Sequence, residues 1–165
     1  AWGIAVYSRL PVESFADIDL DGGLSAQLRV RLRTAAGPLD LYAVHLASPT
    51  QAGRMELQDR QLATLAATLR AAADAEPGVP RVVVGDLNLT PYSPRFARLL
   101  ADAGLADARQ PFGAHVTWPT WPVPLWIPID HCLVAGPVRA TAVTAGPATG
   151  SDHRPLEVRL HGVMP

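Results

Sequence analysis

The chain has no lysine, one asparagine (Asn88) and one cysteine (Cys132) among its 165 residues. A single cysteine excludes an intramolecular disulfide and leaves the redox compartment open. Fourteen basic residues, all arginine, face fifteen acidic ones for a net charge of -1. The chain therefore lacks the basic surplus with which domains grip nucleic acid through bulk phosphate neutralisation, although a small or local phosphate substrate stays open. No apolar run approaches the roughly 18–20 residues that span a bilayer. Ordinary usage would give roughly half a dozen asparagines. A coding bias that removes Lys and Asn explains the shortage, and marks the surviving Asn88 as a residue whose place other side chains do not fill.

What is present fits one soluble globular domain: 48% hydrophobic residues, 18% charged and a mean hydropathy of +0.13. Residues 1–10 (AWGIAVYSRL) begin without an initiator Met or leader and enter at once an apolar, strand-favouring run, so a start inside a longer polypeptide is expected. Sixteen prolines gather most densely in residues 111–128, which excludes regular helix or central strand there. That segment reads as an ordered loop whose Trp118, Trp121 and Trp126 need a surface to pack on.

Residues 26–33 alternate Leu28, Val30 and Leu32 with Gln27, Arg29, Arg31 and Arg33, the period of a half-buried strand. A turn at Gly37-Pro38 leads into LDLYAVHL, making a hairpin. Met55, Leu62, Leu65 and Leu69 recur at helical spacing before Pro77-Gly78 ends the run. RVVVG (81–85) is a short buried strand and Ser93–Ala103 a second helix with Phe96, Leu99 and Leu100 inward. IDHCLV, RATAVTA and PLEVRL add three strands. Helices interleaved among more numerous strands predict a layered α/β domain.

The polar residues of interest stand where strands stop: His45, Asp86 with Asn88, Asp130 with His131, and Asp152 with His153. Taken singly, each has a plain structural reading. Asp86 and Asn88 can make Asx turns, Ser151-Asp152 a turn before an edge strand, His45 a satisfied strand-end imidazole, and Asp130 a cap. Together they form one polar mouth on an apolar body, where α/β proteins place their chemistry. His131, by alternation, points away from Asp130 and reads as structural. Arg29, Arg31 and Arg33 read as a solvated outer face, with an anionic partner as the alternative.

The sequence resembles the endonuclease/exonuclease/phosphatase, or DNase I-like, superfamily. GIAVYSRLPV is similar to its S-R-x-P strand, AVHLASP to the strand bearing its active-site histidine, and VVVGDLNLTP to its G-D-x-N-x-x-P signature. IDHCLV and GSDHRPLEVRL are similar to its I-D-H strand and S-D-H-x-P terminus. The resemblance implies an α/β, DNase I-like layered β-sandwich flanked by helices. Residues 1–165 are expected to be the C-terminal two thirds of one such domain, with its N-terminal part missing. In that part the family carries an Asn strand and a Glu metal ligand, and none of Glu13, Glu56, Glu76 or Glu157 stands in for the latter. An isolated chain is accordingly expected to be weakly active or inert.

The implied function is divalent-metal-dependent hydrolysis of phosphate esters, whether phosphodiester, phosphomonoester or lipid-linked, with Mg²⁺ or Mn²⁺ supplying charge through oxygen ligands. The resemblance makes His153 the general base, Asp130 its orienting partner, Asp86 and Asn88 the holders of nucleophile and phosphate, and His45 a donor to the phosphate or departing oxygen. It places Asp86 and Asp152 at the metal and Asn88 and His45 against substrate. An uncharged Asn88 amide could donate to a phosphoryl oxygen where Asp would repel it. Trp118 is a substrate-lip candidate, with packing onto the sheet as the other reading. T-W-P before I-D-H resembles a bacterial branch in which transmembrane helices carry an extracytoplasmic catalytic domain, including proteins associated with glycopeptide resistance. That branch would put a membrane anchor upstream and the site on the extracytoplasmic face; otherwise a cytoplasmic location is expected. The alternative from another class is a non-catalytic binding module or inactive fragment of the same fold. A Ser-His-Asp hydrolase fits poorly, since no G-x-S-x-G elbow occurs.

Overall fold

Alternating Leu28, Val30 and Leu32 builds β2 (Leu28–Thr34), and Gly37 at φ 114° turns the chain into β3 (Gly37–His45), its antiparallel partner. The computed structural model describes residues 3–50, 52–121 and 126–162. β1 (Val12–Asp17) lines the outer edge of β2. From β3 the chain passes through α1 (Arg54–Ala75) to β4 (Arg81–Asp86), which pairs parallel to β3, as a helical crossover permits. α2 (Pro94–Ala103), the short β5 (Ala106–Asp107) and the tryptophan-bearing loop precede β6 (Asp130–Ala135), which lies antiparallel to β4. The sheet order is β1-β2-β3-β4-β6-β5. β7 (Val138–Ala145) and β8 (Leu156–Gly162) form a second, two-stranded sheet.

Period-two alternation divides the residues of β3, β4 and β6 between two layers. Tyr42, Val44, Val83 and Leu133 pack with Leu62, Leu65 and Leu69 of α1 and Phe96 and Leu99 of α2. Leu41, Val82, Cys132 and Val134 face the other way, toward Val138, Leu156 and Val158 of the second sheet. Full burial of a leucine such as Leu65 or Leu69 stabilises by about 1.5–3 kcal/mol. α2 is delimited locally: the Ser93 hydroxyl accepts from the Arg95 amide, Pro94 stands in the first turn, and Gly104 closes the helix at φ 62°.

Four expectations change. The strand anticipated over residues 1–10 is absent from residues 3–8, which join no ladder, while residues 1 and 2 lie outside the described residues. A strand needs a paired edge, and Tyr7 in this segment is 96% exposed; the ladder begins only at Val12. Arg29 and Arg31 are no solvated outer stripe. They converge on buried Asp40, at 2.7 and 2.8 Å, and Arg31 also grips Glu76 just past α1. A carboxylate buried to 2% exposure requires such counter-charges. Burial alone would raise the Asp40 pKa, but its bonds from Arg31 and Arg29 bring it below the ordinary value. Met55 is exposed because the first turn of α1 borders an open cleft, which Arg54 and Leu57 line, and not the sheet. Trp121 is 78% exposed, so the loop does not bury all its indoles; its residues 122–125 lie outside the described residues.

Gly85 decides how closely β3 and β4 approach. Its φ is 135°, and a Cβ there would overlap the Val44 carbonyl oxygen. Gly85→Ala should destabilise by about 3 kcal/mol. Gly113→Ala, with positive φ but open space, should cost about 1 kcal/mol. Urea unfolding of the two variants tests the difference; equal losses would show that backbone conformation alone is responsible.

Candidate active site

The strand register sets three site residues in one row. His45 at the end of β3 pairs with Asp86 at the end of β4, and Asp86 pairs with Asp130 at the start of β6. By alternation all three continue the face that buries Leu41, Val82 and Cys132, so the row begins where the apolar layer stops. The loop between β7 and β8 supplies the fourth member. His153 Nδ1 lies 2.8 Å from Asp130 Oδ2, and its Nε2 3.9 Å from Asp86 Oδ2. A carboxylate only accepts, so Nδ1 carries the hydrogen and Nε2 is left to take a proton. His45 Nε2 approaches Asp86 Oδ2 to 3.6 Å.

Asp86, Asp130 and His153 offer ligand atoms all within 4.8 Å of one another, the one such group of acidic and imidazole side chains among the described residues. Burial raises the Asp86 pKa, the Asn88 amide opposes this and the Asp130 charge adds to it. A half-buried carboxylate facing a second carboxylate suits a hard cation, which would stabilise the ionised form. Asp152, expected at the metal, lies outside this group. Its carboxylate accepts from the Trp118 indole N–H at 3.3 Å. Cys132 is buried and its thiol is pushed up to about 12, which removes it as a nucleophile.

Asn88 has φ 49°, the left-handed region that asparagine tolerates better than most residues. Its backbone and side-chain N–H groups both donate within the protein. The backbone N–H donates to Asp86 Oδ1 at 2.7 Å, and Nδ2 donates to Leu46 O at 2.9 Å and Asp86 Oδ2 at 3.3 Å. An aspartate at 88 would turn both side-chain contacts repulsive, so the lone asparagine knits the β3 and β4 ends together.

The tryptophan-bearing loop is sewn to the loop carrying His153. Thr120 N–H donates to Asp152 O at 2.8 Å, Arg154 N–H to Thr117 O at 2.8 Å, and the buried Thr117 hydroxyl accepts from Asp130 N–H at 3.3 Å. The Trp118 ring stands 6.4 Å from the His153 ring. These groups border a cleft of about 1110 Å³, lined also by His45, Asn88, Asp152, Leu57 and Ile127. A second cavity of about 650 Å³ is lined by His153 and Asp130 together with Ile4, Leu41, Val84 and Leu156.

Sequence reasoning missed the buried amides that hold this site. Gln27 brackets the His45 backbone, accepting from N–H at 2.7 Å and donating to its carbonyl at 2.9 Å. Gln61 accepts from Ala47 N–H, and Gln58 donates to the Ala47 carbonyl. The available signal was position: Gln58 and Gln61 occupy the same stripe of α1 as Leu62, Leu65 and Leu69, where an unbonded amide would be costly.

The family model described as "Endonuclease/Exonuclease/phosphatase family" matches residues 1–153. The chain belongs to the endonuclease/exonuclease/phosphatase family. Its solved relatives share the DNase I-like fold. The human Nocturnin catalytic domain with bound sulfate superimposes with a TM-score of 0.73 at 16% identity, covering 94% of this chain and 61% of that one. An endonuclease/exonuclease/phosphatase from Beutenbergia cavernae gives 0.67 at 23% identity, over 94% and 46%. Sphingomyelinase C from Streptomyces griseocarneus gives 0.64 at 20% identity, over 94% and 66%. The chain thus spans between about half and two thirds of these relatives' lengths. No curated protein sequence matches it. No helix among the described residues is long and apolar enough to cross a membrane.

His131, as alternation implies, turns from the cleft: it is 2% exposed and stacks on Phe96 at 4.6 Å. Burial first, and the Arg109 charge second, lower its pKa from 6.5 to about 4. The unfolded chain therefore binds this proton at a higher pH than the folded one, and stability falls as pH drops from about 6.5 toward 4, by about 3 kcal/mol at most. Urea titrations at pH 7, 5.5 and 4.5 should show a steeper acid loss in wild type than in His131→Phe; parallel losses would exclude His131 as the source.

Proposed function

We propose that this member of the family is a divalent-metal-dependent phosphoesterase in which His153, oriented by Asp130, activates water. The observation that carries the reading is the 2.8 Å His153–Asp130 pair, with Nε2 turned toward Asp86. Phosphate esters are the chemistry shared by a family named for nucleases and phosphatases. Mg²⁺ or Mn²⁺, held by Asp86 with Asp130 as the neighbouring carboxylate, would neutralise charge on the phosphoryl oxygens.

His153 Nε2 takes one proton from water as the water oxygen bonds to phosphorus and the ester P–O bond breaks. The Asp130 carboxylate stabilises the resulting imidazolium through Nδ1–H. His45, in the same row, donates to the phosphate or the departing oxygen. Asn88 ties the Asp86 carboxylate to the β3 end, which keeps the nucleophile side of the cleft in place. Trp118 supports Asp152 through its indole N–H and offers its ring to the substrate at the lip. The near-neutral charge favours a small phosphate ester over a long nucleic acid.

Hydrolysis of bis-p-nitrophenyl phosphate and p-nitrophenyl phosphate, each with Mg²⁺, with Mn²⁺ and with EDTA, tests this. Turnover, however slow, should require the metal and fall about 10²–10⁴-fold in His153→Ala. Rates that survive EDTA, or that His153→Ala leaves unchanged, would overturn it, and the favoured ester distinguishes diester from monoester.

A further inference from the structure

Three consecutive carbonyls of the loop after β4 are each held by a buried side chain from another element. Gln58 Nε2, on α1, donates to Leu87 O at 3.1 Å and Asn88 O at 3.2 Å, as well as to Ala47 O at 2.9 Å beyond His45. His131 Nε2, on β6, bonds Leu89 O at 2.7 Å. Gln58 is 0% and His131 2% exposed, so water does not compete for these bonds.

An arginine fixes the orientation of each clamp. A guanidinium offers only hydrogens. Arg95 Nη1 points at Gln58 Oε1 from 3.2 Å, which forces the amide's donor end toward the three carbonyls. Arg109 Nη2 points at His131 Nδ1 from 2.6 Å, which places the ring hydrogen on Nε2, facing Leu89 O. Each arginine is anchored by a carboxylate: Arg95 by Asp59 at 3.0 Å and Arg109 by Asp107 at 3.1 Å. Arg109 Nη1 also reaches the Asp130 carbonyl at 3.4 Å. Two parallel chains thus run from an aspartate through an arginine to a polar side chain and onto the loop.

We propose that Gln58 and His131 are positioning residues that hold the Asp86–Leu89 loop by its carbonyls, and that Arg95 and Arg109 set the direction in which they donate. The loop needs such a hold because Asn88 sits at φ 49°, a conformation that a free non-glycine residue leaves readily. The clamp connects α1, β4 and β6, so the amide of Asn88 and the carboxylates of Asp86 and Asp130 keep one mutual arrangement. The proposal rests on the phosphoesterase reading only in making this loop the reactive one; the hold itself is measurable without turnover.

The solitary asparagine supplies the probe. Protein labelled with ¹⁵N at asparagine alone gives one backbone amide signal and one side-chain pair, both from Asn88. In wild type these protons should exchange slowly with solvent, and Mn²⁺ should broaden them. Gln58→Glu keeps the volume and removes the donor, so Asn88 exchange should quicken at least about tenfold, the step that corresponds to 1.4 kcal/mol of lost protection. Arg95→Met, at a partly exposed position, frees the amide to flip and should give a smaller, same-sign change if Gln58→Glu does not fold. His131→Phe should release the loop from the other side. A lowered melting temperature with unchanged Asn88 exchange in Arg95→Met and His131→Phe would assign these residues to packing alone and overturn the proposal. The exchange comparison decides the clamp even if Mn²⁺ broadens nothing, an outcome that would count against the metal reading instead.

Discussion

Everything at the cleft depends on the register of three strands. Because β3 and β4 run parallel and β4 and β6 antiparallel, the end of one coincides with the start of another, and His45, Asp86 and Asp130 become neighbours across the ladder. Slipping β3 by one residue would turn His45 to the helical face and bring Val44 into the row. The Gly85–Val44 close approach guards against that slip, since no residue with a side chain fits opposite that carbonyl. The polar row is thus a by-product of the same backbone ladder that buries the two apolar layers.

The loops add what the ladder cannot. Strand ends splay, and a row of polar groups at a sheet's edge would be mobile without support. Here the support comes from buried amides and one imidazole, whose bonds run to backbone atoms of the site and leave its acidic and imidazole side chains to one another. Such groups are costly in an apolar interior unless every polar atom is met, which is why arginine–aspartate pairs stand behind Gln58 and His131.

Much of this was legible in the sequence. Alternation in residues 28–32, the stripe through Leu62, Leu65 and Leu69, and the apolar run before Asp86 each specify an element, because each pattern buries one face in one way only. The G-D-x-N and S-D-H runs marked segments that meet at one cleft, and alternation separated His131 from Asp130. What stayed hidden depends on tertiary partners. Alternation says that Arg29 and Arg31 share a face; it does not say that buried Asp40 waits there. The amides of Gln27, Gln58 and Gln61 carry no motif, and their role exists only once the carbonyls they meet are assembled. Nor does the chain order reveal that Trp118, 34 residues earlier, donates to the Asp152 carboxylate.

The His153–Asp130 pair stands between the cleft and a second cavity behind it. Its strength is therefore governed from behind. Water filling the rear cavity screens the Asp130 charge and weakens its pull on the imidazole; hydrocarbon filling it strips that screening and tightens the pair. Whatever packs against Ile4, Leu41 and Val84 thereby acts on the hold of Asp130 on the His153 ring without ever entering the cleft.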